Sequence, residues 1–189
     1  MIRIGILGEI GSGKSYVARN FGFPVFDADH EVSKIYKRDK KIFYKLNKKL
    51  PKNIYSFPID KEQISDAILK KKSNLEIIIK IVHKEIRKKF KLFLNKNKNK
   101  KIIIMDIPLL LENKINNKTD ILIFVESKKS DIDKRLKKRK NFNKKLLDEF
   151  KKIQFKVGYK KKKSNFIIKN DFTRNKIKIT INKILKEIL

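Results

Sequence analysis

The stretch GEIGSGKS, residues 8–15, follows the apolar run IRIGIL and precedes YVARNFG. A G-x-x-x-x-G-K-[ST] segment between a strand and a helix is a cradle for phosphate, because its glycines let successive backbone N–H groups and the helix N-terminus face one anion. Lys14 adds a charge that can follow a moving phosphoryl group, and Ser15 offers a hydroxyl to Mg²⁺. A strand, a tight loop and a helix in this order commit the first twenty residues to an α/β layer. The carboxylate of Glu9 is the unusual member of the loop, and its side chain is expected to point away from the anion.

Short β-branched runs alternate with longer stretches of helical period, the signature of a parallel sheet with helices on its faces. The expected strands are residues 2–7, 24–27, 101–106, 121–125 and 166–168. About seventy residues separate the second and third, far more than one crossover helix needs. ISDAILKK and LEIIIKIVHKEIRKKFKLFL within that interval repeat apolar residues at three and four, so the insertion is expected to be helical. Residues 130–163 form a second helical stretch, crowded with lysine in KRLKKRK and YKKKKS. Those runs are expected to be solvated helix faces.

The formal net charge is +31, from 51 Lys and Arg against 20 Asp and Glu. The excess is spread along the chain and is not gathered beside stacking aromatics, so nonspecific attraction to polyanions is expected, without a dedicated nucleic-acid site. There is no cysteine, which excludes disulfides, thiolate metal sites and a cysteine nucleophile. No apolar stretch reaches the roughly 20 residues needed to cross a bilayer, and the start carries no signal-peptide pattern, so a soluble cytoplasmic protein with no membrane partner is expected. Nothing in the chain fixes an oligomeric state.

Several acidic residues fall where strands end. DAD places Asp27 and Asp29 at the carboxyl edge of the second strand, where an open α/β sheet gathers its ligands. A carboxylate there can take a hydroxyl proton or cap the helix that follows. Asp106, closing KIIIMD, is placed to hold Mg²⁺ through water or to start the loop before Pro108. Arg135 and Arg139, four apart, are expected on one helix face as forked donors for a phosphoryl group. NKTD at 117–120 imitates a guanine-reading motif, but it precedes a strand rather than following one, and no D-x-x-G accompanies it.

Taken together, IGSGKS, DAD, the helical segment with His83, DIPLLLE, the Arg135/Arg139 pair, Gln154 and FIIKN resemble the dephospho-CoA kinase family nearly end to end. The resemblance implies a P-loop kinase: a five-stranded parallel sheet flanked by helices, with a helical substrate-binding insertion and a helical lid. It implies a core of residues 1–29, 100–130 and 164–189, an insertion of 30–99 and a lid of 131–163. It further implies transfer of phosphate from ATP, with Mg²⁺, to the ribose 3′-hydroxyl of dephospho-coenzyme A. Gly8, Glu9, Ile10, Gly11, Ser12, Gly13, Lys14, Ser15 and Tyr16 would bind ATP together with Arg135 and Arg139. Asp29 would be the base, with Asp27 beside it, and Lys14 and Arg139 would act on the transferring group. His83, Pro108, Leu109 and Glu112 would face the acceptor, and Ser15 and Asp106 the metal. The family's His-Pro is His83-Lys84 here, so that helix is expected to run on. The alternatives weighed are a nucleoside or nucleotide kinase and a nucleic-acid-stimulated ATPase.

Overall fold

The computed structural model describes residues 1–139 and 142–189. Five parallel strands form one sheet: β1 (Ile2–Gly8), β2 (Val25–Asp27), β3 (Ile102–Asp106), β4 (Ile121–Glu126) and β5 (Phe166–Lys169), in the order β2-β3-β1-β4-β5. Each expected strand is present, with one end displaced by one residue. Register pairs Ile4 with Ile104 on one side of β1 and with Ile121 on the other.

Period-two alternation decides which side chains meet. Ile4, Ile6, Ile102, Ile104, Ile123, Val125 and Ile168 share one face and pack under α1 (Lys14–Asn20) and α9 (Arg174–Ile188), through Val17, Ala18, Ile177, Ile181 and Ile184. Each such isoleucine, removed from water, contributes about 1.5–3 kcal/mol. The opposite face is approached closely at Gly5, where a Cβ would come within 2.6 Å of the Leu110 side chain and 2.8 Å of that of Leu122. The missing side chain at residue 5 therefore lets the segment after β3 lie on the sheet. α8 (Val157–Lys162) packs against β1 as well.

Two compact units divide the chain. The sheet unit holds residues 1–27, 97–142 and 153–189, including α6 (Lys129–Lys137). The helical unit holds residues 28–96 and 143–152. In it α2 (Ala28–Arg38), α3 (Lys40–Lys49) and α4 (Lys61–Lys70) each pack on α5 (Lys72–Lys96), and α7 (Lys144–Lys152) packs on α4. Asp39 caps α3 by accepting from the Ile42 N–H at 3.0 Å, and Asp60 caps α4 through the Glu62 N–H at 3.2 Å. Buried Leu75, Ile78, Val82, Ile86 and Phe90 follow helical spacing along α5, which is unbroken at His83-Lys84. The stretch 131–163 is thus divided, with 143–152 in the helical unit and 131–139 and 153–163 in the sheet unit.

Candidate active site

β1 and β3 are neighbours, yet the chain leaves β1 toward β2 at the sheet margin and leaves β3 toward β4 on the other side of β1. Connections that diverge in this way open a crevice at the carboxyl ends of the strands. The phosphate loop rises from β1 into that crevice, and the turn 107–112 rises from β3. Asp27 and Asp106 are register partners and end their strands at this same edge. Asp29 follows two residues later, inside the first turn of α2. A small recess at this edge is lined by Gly8, Lys14, Pro108, Leu109, Glu112 and Lys160 among others.

The loop is bent through positive φ at Gly11 (90°) and Gly13 (88°), where a side chain would strain the backbone. The Lys14 ammonium donates to the carbonyls of Gly8 (3.3 Å) and Glu9 (2.9 Å), which folds it into the turn. The Ser12 carbonyl accepts from Ser127 Oγ at 3.0 Å and from Asn170 Nδ2 at 2.8 Å. Asn170 Oδ1 in turn accepts from the Phe172 N–H at 2.8 Å. The loop is therefore braced from β4's end and from the segment after β5. FIIKN pointed to this region, but nothing in the sequence marked its asparagine as the brace. A Cβ on Gly13 would meet Asn170 Nδ2 at 2.4 Å and the Phe172 ring at 3.0 Å. Ser12 Oγ is buried and has no hydrogen-bond partner among the described residues, and a buried polar atom of this kind fits a loop built around a polar ligand.

On the opposite wall, half-buried Glu112 pairs with buried Lys160. Lys160 Nζ lies 2.9 Å from Glu112 Oε1 and 3.1 Å from Gln154 Oε1, and the two side chains of the ion pair are only 6% and 9% exposed. Glu112 Oε1 also accepts from the Phe155 N–H at 2.8 Å. The lysine run YKKKKS was expected to be solvated. At Lys160 this is corrected, because α8 turns that residue into the sheet unit and a carboxylate offsets its charge. Leu109, beside the same cleft, is held at φ 59°, a conformation a bulky side chain adopts only under tertiary constraint.

A family model for dephospho-CoA kinase matches residues 2–176. The chain belongs to the dephospho-CoA kinase family. The dephospho-CoA kinase of Wolbachia sp. subsp. Brugia malayi (strain TRS) is 35% identical over 170 residues, which cover 87% of each chain. The same fold occurs in the crystal structure of TT1252 from Thermus thermophilus, at a TM-score of 0.75 and 21% identity, over 100% of this chain and 98% of that one. It also occurs in the dephospho-CoA kinase from Campylobacter jejuni, at 0.63 and 22%, over 98% and 96%.

Against the dephospho-CoA kinase expectations, the sheet unit brings together Gly8 to Ser15, Asp27, Asp106, Pro108, Leu109 and Glu112. His83 lies half-buried on α5 of the helical unit. Tyr16 is exposed on α1, and Glu9 and Ile10 are half-buried. The shared helix face for Arg135 and Arg139 is corrected: α6 ends at Lys137 and is capped by Lys138, so Arg139 lies beyond it. Like charges four apart, Lys134 with Lys138 and Arg135 with Arg139, disfavour another turn. The Arg135 guanidinium stacks instead on the Phe172 ring, 4.1 Å from its centroid. NKTD is a turn pin. Asp120 accepts from the Asn117 N–H at 2.8 Å and from Arg3 at 3.0 Å, immediately before β4. Burial pushes its carboxyl above the usual range, with those two donors pulling it back.

Proposed function

We propose that this chain transfers the γ-phosphoryl group of ATP to the 3′-hydroxyl of dephospho-coenzyme A, the final step in making coenzyme A. The observation that carries the reading is the crevice where the phosphate loop, Asp27, Asp106 and the DIPLLLE turn share one sheet edge, in a chain of this family. The loop amides and Lys14 hold the donor phosphates. Asp29, just past that edge, accepts the hydroxyl proton as the oxygen attacks phosphorus, and Asp27 supports it. Arg139 closes on the phosphates from beyond α6, and the lid excludes water that would otherwise compete with the ribose hydroxyl.

The Ser15 hydroxyl and the Asp106 carboxylate are hard oxygen donors of the kind Mg²⁺ takes. Among the described residues no group of three or more His, Asp or Glu could cage a metal. That fits an ion held by one or two protein oxygens together with substrate phosphates and water. When bound, Mg²⁺ would neutralise charge developing on the phosphates. Among the described residues, no helix is long and apolar enough to cross a membrane, and we assign the protein to the cytoplasm, with small-molecule partners alone.

The test is to incubate the purified chain with ATP, Mg²⁺ and a panel of acceptors that includes nucleosides, nucleotides and dephospho-coenzyme A. Mass spectrometry should find one added phosphate on dephospho-coenzyme A. Selective phosphorylation of a nucleoside or nucleotide would overturn the reading.

A further inference from the structure

Lys160 is a cation buried in the wall of the phosphate cleft, and neither the loop motif nor the lid arginines account for it. An ammonium has three donors. One reaches Glu112 and one Gln154, and the third makes no hydrogen bond among the described residues, although the side chain lines the same cleft as Gly8 and Lys14. Taking an ammonium and a carboxylate out of water costs several kcal/mol per ion, and well-packed apolar residues usually serve stability as well or better. The pair therefore asks for a reason beyond folding, and its place beside the phosphate loop supplies one.

We propose that Lys160 is a catalytic residue that donates its third N–H to the transferring phosphoryl group, opposite Lys14, while Glu112 and Gln154 hold it in position. This rests on the kinase reading above. In the step, the bond from the γ-phosphorus to the bridging oxygen of ADP breaks as the bond to the ribose 3′-oxygen forms. The hydroxyl proton passes to Asp29, ADP leaves, and Lys160 keeps its proton throughout. Charge in such a transition state is spread over the equatorial oxygens. A donor already desolvated and fixed by two side chains stabilises that charge without reorganising at the moment of reaction. Glu112, expected to face the acceptor, becomes the counter-ion that orients Lys160.

The experiment compares Lys160→Met, Lys160→Arg and the double variant Lys160→Met/Glu112→Gln with wild type, measuring kcat, both KM values and the melting temperature. Lys160→Met should lower kcat by roughly 10²- to 10³-fold, the loss typical of removing one transition-state donor, with both KM values within about threefold. The double variant removes the unpaired buried carboxylate. It should melt closer to wild type than Lys160→Met does, yet keep the low kcat, while Lys160→Arg should recover part of the rate. A double variant that returns to wild-type kcat shows that Lys160 only neutralises Glu112, and overturns the inference. So does a Lys160→Met enzyme with kcat within threefold of wild type. A wild-type chain that makes no product from dephospho-coenzyme A overturns the kinase reading itself, a separate and distinguishable failure.

Discussion

Gly13→Ala tests whether the phosphate loop is rigidly braced. Residue 13 has φ 88°, and an L side chain in the left-handed region costs about 1–2 kcal/mol. The new methyl would stand 2.4 Å from Asn170 Nδ2, so the amide must leave the Ser12 carbonyl. The Ser12 carbonyl keeps Ser127 Oγ, but the buried Asn170 amide loses its acceptor, which costs about 1–3 kcal/mol more. Gly22→Ala is the control: its φ is 76°, and no heavy atom lies within 4 Å of the added methyl. It should show the backbone cost alone, about 1–2 kcal/mol. Urea denaturation should therefore separate the two variants by about 1–3 kcal/mol. ATP titration should show Gly13→Ala binding about tenfold or more weakly, as the displaced loop loses its register with the phosphates. Equal destabilisation of the two variants, with equal ATP affinity, would refute the brace through Asn170.

Asp29→Asn should bind ATP with wild-type affinity while transfer collapses, read by titration and by product formation; normal turnover would give the base role to another carboxylate. Arg139→Ala should lose roughly 10²- to 10⁴-fold in kcat, and activity within threefold of wild type would remove Arg139 from the reaction. Asp120→Ala leaves the largely buried Arg3 guanidinium without its carboxylate; denaturation should report a loss of about 3–5 kcal/mol, with the relative use of ATP and GTP unchanged. The Lys176 ammonium, followed by the Thr173 N–H, holds the exposed Asp171 carboxyl down to about 2. Its folded value lies below its unfolded one, so its stabilisation is present above about pH 4 and lost as pH falls toward 2. Melting curves should show Asp171→Asn converging on wild type across that window.

The sheet was legible because burial on both faces writes itself as β-branched runs such as KIIIMD and ILIFV, and because the loop at 8–15 requires a strand before it and a helix after it. Strand ends moved by one residue because ladder hydrogen bonds, and not the apolar run, set them: β1, β4 and β5 run one residue further, and β2 and β3 start one residue later. The lid region was less legible. KKLLDEFKK is an amphipathic helix whichever unit it joins, and only tertiary contact assigns it to the helical unit. Lys160 is one of four consecutive lysines, and no local signal distinguishes the one that meets a carboxylate 48 residues earlier in the chain. Asn170 is similar, since its value lies in a hydrogen bond to a residue 158 positions away. Arg139 was misplaced because spacing of four was read as helical, where accumulating positive charge ends the helix first.

The central claim is most directly tested by one stoichiometry. With ATP, Mg²⁺ and dephospho-coenzyme A, the chain should release one ADP for each coenzyme A formed, and tandem mass spectrometry should place the new phosphate on the adenosine ribose at its 3′ position. ADP released without phosphorylated product, or a phosphate found elsewhere on the acceptor, would contradict the account.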